Sequence, residues 1–220
     1  MNYKLVYLFV ALFNIFYPQL NFEQGKKILL NIKKPDQLLP ENEIMGAEIS
    51  IIDDNQLSAI ITCDTLINQN SNSAILKGNV VAQFYESEIF TDSNNNGIFD
   101  NDEDFHDENG NKQYDDSFLI SQLISDIAYY DENASLRAQK NVSVEKFDDI
   151  NKALVVDSLY FLNPEDSEIT WHRKYGTIAS DKSFILKSED GSCMSGDAFE
   201  SNVDLSNVKV IGVQGGNYCK

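Results

Sequence analysis

After Pro40 the chain never sustains a 3.6-residue apolar period over twelve or more residues, and this most narrows what it can become. It alternates at period two instead. Leu57, Ala59, Ile61 and Cys63 share one face of a strand. Leu76, Val80, Ala82 and Phe84 share a face of another, and Val142 and Val144 alternate with Ser143 and Glu145. Polar turn clusters separate these runs: Asp53–Asn55, Asn68–Ser73, Asp131–Asn133, Asn163–Asp166 and Glu189–Gly191. Many short strands at near-regular spacing predict an all-β antiparallel sheet. With 220 residues, 42% of them apolar, there is material for one sizeable core and too much for a disordered acidic tail.

A repeat runs through the strands. Asp64 lies fifteen residues before Asn79, and Asp126 fifteen before Asn141. Each copy reads Asp, a few mostly apolar residues, a polar turn, Ala-x-Leu, then Asn-Val. Physically this is strand, hairpin turn, strand, with Asp at a strand end and Asn-Val restarting the ladder. Weaker copies begin at Val155 and at Gly196. Stacked hairpins of this kind bury one face of each unit against the next.

The amino terminus differs. Leu5–Tyr17 is apolar apart from Asn14, and Lys4 precedes it. Extended from Tyr3 to Leu20, it nearly reaches the ~20 residues a membrane helix needs. A signal peptide is the other reading, but Phe16–Leu20 lacks the small residues of a cleavage site. The balance favours residues 1–22 as an uncleaved single-pass anchor and 23–40 as a linker, with the β domain at 41–216.

Lys and Arg number 17 against 35 Asp and Glu, a formal charge of −18. No basic stripe is available to neutralise phosphates, which excludes a nucleic-acid partner and a Lys/Arg-driven lipid surface. The charge is concentrated. Between Asp92 and Asp116 there are nine acidic residues and one Lys. This acidic insert, 91–117, interrupts the β domain.

Within it, Asp92, Asn94, Asn96, Gly97, Asp100 and Glu103 fall at positions one, three, five, six, nine and twelve of a calcium loop, without a mismatch. A hard cation wants several oxygens at once, the glycine permits the sharp turn, and the terminal Glu can bind through both oxygens. Ile98 would add its carbonyl. Calcium is the expected structural cofactor. A half-match follows at Asp107, Asn109, Asn111 and Asp115, with Gly110 one place early and Phe118 at position twelve. The alternative is an acidic loop with no ligand.

Other chemistry is sparse. Two His and three Cys leave little for a zinc site or a His-dependent reaction. Ser192 and Ser195 lack a neighbouring His, and the repeat-equivalent Asp64 and Asp126 suit structure better than glycoside hydrolysis. No catalytic residue is expected. Trp171–Tyr175 is a basic-aromatic run, either an amphipathic strand rim or a lipid-phosphate contact. Cys63, Cys193 and Cys219 allow one disulfide plus a free thiol, or three thiols.

From Pro35-Asp36-Gln37 to Gly216 the chain resembles the LptC family, the periplasmic component of lipopolysaccharide export. Asp64…Gly78-Asn79-Val80 and Asp126…Asn141-Val142 match the OstA-like repeat of that machine's β-jellyroll proteins. Ser195-Gly196-Asp197-Ala198-Phe199-Glu200-Ser201, then Asp204-Leu205-Ser206-Asn207, is similar to the family's closing signature. Asp197, where a Gly is more usual, and the insert depart from the pattern. The resemblance implies a curved, partly open β-jellyroll at the inner membrane, facing the periplasm. It would take lipopolysaccharide from inner-membrane ABC transporter subunits and pass it to a periplasmic bridge jellyroll through an edge strand. By the same analogy Ala47–Ile52 is the transporter-facing edge and Asn207–Val213 the bridge-facing one. Val80, Phe84, Leu136, Val142, Val144, Leu159, Phe184, Leu186, Val208 and Val210 are the residues expected to point inward toward lipid. Alternation alone does not separate such a groove from a dry sandwich core. The competing reading is a secreted or surface-attached, calcium-stabilised β-structural or adhesive module.

Overall fold

The computed structural model describes residues 28–32, 43–53, 56–70, 73–107, 110, 112–131, 135–148 and 154–214. The anchor expected at 1–22 lies outside them, and among them no helix is long and apolar enough to cross a membrane. The described chain is all-β, as the period-two alternation requires: fourteen strands and two short 3-10 turns.

In chain order these are β1 (Ile28–Ile32), β2 (Glu43–Asp53), β3 (Gln56–Asn70), β4 (Ser73–Glu86) and β5 (Phe118–Asp131). There follow β6 (Ser135–Gln139), β7 (Ser143–Phe147), β8 (Val155–Phe161), β9 (Glu168–His172) and β10 (Thr177–Ser180). The last are β11 (Phe184–Ser188), β12 (Cys193–Gly196), β13 (Ala198–Asn202) and β14 (Lys209–Ile211). All pairings are antiparallel, in one large sheet curved nearly to closure.

Two expectations need correction. Residues 23–40 are not linker throughout, because Ile28–Ile32 form β1 and pair with Ala47–Ile51 of β2. Ala47–Ile52 is therefore no edge: β1 covers one side of it and β3 the other. At the far end β14 pairs with β13 and ends the path.

The sheet forks at β5. Its second half, Ile127–Asp131, pairs with β6, while Ser121–Ile124 pairs with β7. One branch continues β6-β9-β10-β13-β14, and the other runs β7-β8-β11-β12. The cause is local. Lys140 and Asn141, between β6 and β7, both take left-handed backbone (φ 64° and 50°), so one long strand becomes two diverging ones. The amides freed there are satisfied by the loop ahead of β9: Lys140 N–H donates to Ser167 O (3.1 Å) and Asn141 N–H to Pro164 O (2.8 Å).

The fifteen-residue repeat is the side-chain clasp of such corners. Asn79 Nδ2 donates to Asp64 Oδ2 at 2.8 Å, and Asn141 Nδ2 to Asp126 Oδ2 at 2.6 Å. Neither Asp ends a strand, contrary to expectation: Asp64 lies inside β3 and Asp126 inside β5. The clasp holds a bend within a continuous strand rather than terminating it. The buried set changes parity there, from Ala59, Ile61 and Cys63 to Leu66 in β3, and from Leu123 and Ser125 to Ala128 in β5. A third clasp closes the chain. Asp197 N–H donates to Ile211 O at 2.9 Å, and Asp197 Oδ1 accepts from Gln214 Nε2 at 2.8 Å.

Both branches face one apolar core. Leu136, Ile169, Trp171, Ile178 and Phe199 come from one side, and Val144, Leu159, Phe161, Phe184 and Leu186 from the other. The Phe184 and Phe199 rings meet across the seam at 4.9 Å. Gly196 permits the closest approach there, since a Cβ would collide with the Val210 side chain.

Candidate functional site

Two regions bear on function: the interior and the acidic insert. In the interior, Val80, Phe84, Leu136, Val142, Val144, Leu159, Phe184 and Leu186 are all buried, and Val208 and Val210 pack against them half-buried. The structure thus brings the ten together on one apolar surface. The Phe84 ring meets Trp171 edge-on at 5.0 Å in the middle of it. These side chains belong to one buried apolar cluster. A surface cleft of about 380 Å³ lies elsewhere, is open and polar, and is lined by Lys146, Asp148, Asp157, Glu189 and Asp190 among others.

The basic-aromatic run does not form one patch. Trp171 faces the core, and Tyr175 is 70% exposed. The Arg173 side chain, 6% exposed, binds Asp53 with both Nε (3.1 Å) and a terminal nitrogen (2.7 Å). Cys63 is a free, buried thiol, pushed up to about 11 by burial and secondarily by the Asp64 carboxylate, against backbone N–H donors that pull it down. Cys193 is disulfide-bonded. Cys219 lies outside the described residues.

The insert folds around its own aromatic cluster. Phe99 stacks on Tyr114 with centroids 4.1 Å apart, and Phe90 and Phe105 close both rings edge-on at 5.5–5.9 Å. Phe90 and Phe105 also pair as an isolated antiparallel bridge. Burial raises the Tyr114 hydroxyl, and the Asp116 and Glu88 carboxylates add to it.

The expected calcium-loop residues converge in one turn. Asp92 accepts Asn96 N–H at Oδ1 (3.1 Å) and Gly97 N–H at Oδ2 (2.8 Å). Asp100 Oδ2 accepts both Asn94 Nδ2 (2.7 Å) and Asn96 Nδ2 (2.9 Å). Glu103, 8% exposed, accepts Ser93 N–H at Oε1 (2.7 Å) and Asp100 N–H at Oε2 (3.1 Å). Gly97 takes φ 72°, the left-handed turn foreseen for it, and Ile98 is 67% exposed. Among the described residues no three His, Cys, Asp or Glu side chains meet closely enough to cage a metal. The carboxylates stand apart, held by N–H groups, and a cation would have to draw them inward.

Neither a protein-family model nor a curated protein matches this chain.

One buried carboxylate of the insert escaped the sequence reading. Glu88, 1% exposed, accepts Asp115 N–H at Oε2 (3.0 Å), while its own N–H donates to Asp115 O (3.1 Å). Glu103 makes the same pair of bonds with Asp100. The available signal was a second repeat of period fifteen: Glu88, Phe90, Asp92, Phe99 and Asp100 recur as Glu103, Phe105, Asp107, Tyr114 and Asp115. The misplaced Gly110 concealed it. The left-handed turn of the second loop is made by Lys112 (φ 64°), whose N–H donates to Asp107 Oδ2 at 2.9 Å as Gly97 does to Asp92.

Proposed function

We propose that the protein is an LptC-like lipid-transfer component. Anchored at the inner membrane and facing the periplasm, it takes lipopolysaccharide from an ABC transporter and hands it to a bridge jellyroll. The supporting observation is the fork at β5, which splits one sheet into two branches with a continuous apolar surface between them. A partly open jellyroll of this kind shields acyl chains while a sugar head stays in water. Acyl chains would lie against the ten inward residues, between the two branches. The Phe184 and Phe199 rings, and Gly196 against Val210, mark where the two branches meet. Passage needs no catalytic group, only apolar area and free strand edges. The strand at the end of the path, β14, is the edge offered to the bridge protein.

In this reading calcium in the Asp92–Glu103 loop is structural and offsets the self-repulsion of the insert. The full-length protein, purified in mild detergent from its native membrane, should carry transporter ATPase and membrane subunits identifiable by mass spectrometry. Co-purification with surface or secreted proteins, without a transporter, would instead favour a calcium-stabilised surface module.

A further inference from the structure

The last strand crosses from one branch to the other. β14 pairs with β13 of the first branch, Ala198 opposite Ile211 and Glu200 opposite Lys209. At Gly212 the backbone turns left-handed (φ 67°), where a Cβ would collide with the Asp197 carboxylate. Beyond it the chain runs on beside β12 of the second branch. There Gln214 N–H donates to Ser195 O (3.0 Å), and Ser195 Oγ donates to Gln214 O (2.8 Å). Residues 209–214 therefore join the two branches at their far ends, as β5 joins them at the fork. Apart from half-buried Val210, burial holds this strand weakly. Ile211 and Val213 are 69% and 64% exposed, and a short terminal strand kept by a few exposed hydrogen bonds frays.

The cysteines supply a stronger tie. The sequence holds three. Cys63 is a free thiol inside β3, while Cys193, the first residue of β12, is disulfide-bonded. Within the chain that leaves Cys219, five residues past Gln214, as its partner. We infer that Cys193 and Cys219 form a disulfide that clamps the terminal strand across both branches. The register agrees with this pairing. Ser195 and Gln214 pair in antiparallel sense, which directs the chain beyond Gln214 along β12 toward Cys193, two residues before Ser195. Forming the bond joins the two sulfurs, releases both thiol protons and passes two electrons to a disulfide-bearing oxidant, which leaves as a dithiol. Oxidising compartments outside the cytosol supply such an oxidant. Once closed, the bond restricts how far residues 209–214 can peel from Ser195 and Asp197. Reduction by a dithiol reverses the exchange and frees the strand to lift. The clamp stands whatever the interior carries.

Peptide mapping of the unreduced full-length protein by mass spectrometry should return Cys193 linked to Cys219, with Cys63 unlinked. Cys193 linked to Cys63 or to a second chain, or three free thiols, overturns the assignment. Hydrogen exchange tests the clamp itself. The Gln214 and Asp197 amides donate to Ser195 O and Ile211 O. Both should exchange at least about tenfold faster in Cys193→Ser, in Cys219→Ser and in the parent reduced by a dithiol. The amide of Leu123, buried in β5, should keep its rate throughout. Unchanged exchange at Gln214 and Asp197 overturns the clamp. An equal rise at Leu123 also overturns it, because the bond then steadies the whole molecule and not this strand. Should the serine variants fail to fold, the reduced parent decides.

Discussion

Asp64 accepts a hydrogen bond from Asn79 and lies directly under Gly78, where an added Cβ would stand 2.5 Å from Asp64 Oδ2. With φ at +72°, Gly78→Ala should cost about 1–3 kcal/mol by chemical denaturation. Asp64→Ala should cost about 1 kcal/mol by loss of its bond. The double variant should be less destabilised than the sum, because removing the carboxylate removes the collision. Strict additivity would contradict the clasp. Cys63 offers a second test. Raised to about 11 mainly by burial, its thiol is ionised in roughly one molecule in ten thousand at neutral pH, so a maleimide should label it only after unfolding. The stability this neutral thiol contributes is complete below its ordinary pKa of 9.0 and is lost as pH climbs toward about 11, so alkaline unfolding should ease across that window less in Cys63→Ala than in the parent. The Asp and Asn of the clasps were legible as a repeat. Their role was not, because spacing gives a frame and not the left-handed backbone that turns a strand end into a bend.

At the scale of elements, the strands were legible because alternation at period two is imposed by the pleat itself. β1 was missed because five residues between polar stretches read as linker until a partner strand supplies their hydrogen bonds. The tight turn of Asp92–Glu103 was legible from the spacing of Asp92, Gly97 and Glu103. The bonds of Glu88 to the Asp115 backbone were not, since Glu88 lies ahead of the acidic pattern. If the insert binds calcium, the thermal midpoint should rise with added ion, by a stabilisation of about 2.7 kcal/mol at a hundredfold excess over Kd. Asp92→Ala combined with Glu103→Ala should remove the first loop's share. No calorimetric heat and no shift in midpoint at millimolar calcium would contradict calcium binding altogether. Phe84 and Trp171 pack edge to face within the core. Trp171→Ala should cost about 3–5 kcal/mol, as expected for a ring buried at the heart of the core.

At the scale of the whole molecule, the ten inward residues were chosen as a face and are found on one surface between the two branches. Alternation does not encode whether that surface stays closed. A dry core and a groove whose walls have come together share the same pattern, and they differ in the work needed to part the walls. The fork at β5 sets the two branches on either side of the core, and the Phe184 and Phe199 rings meet between them. The most direct measurement is photo-crosslinking in membranes with an ATP-driven lipopolysaccharide transporter, using a benzophenone amino acid at Phe84 or Val144. The account predicts ATP-dependent adducts to lipopolysaccharide at both positions and none from a probe at exposed Tyr175. Adducts to protein alone from Phe84 and Val144, in a chain that remains folded, would contradict it.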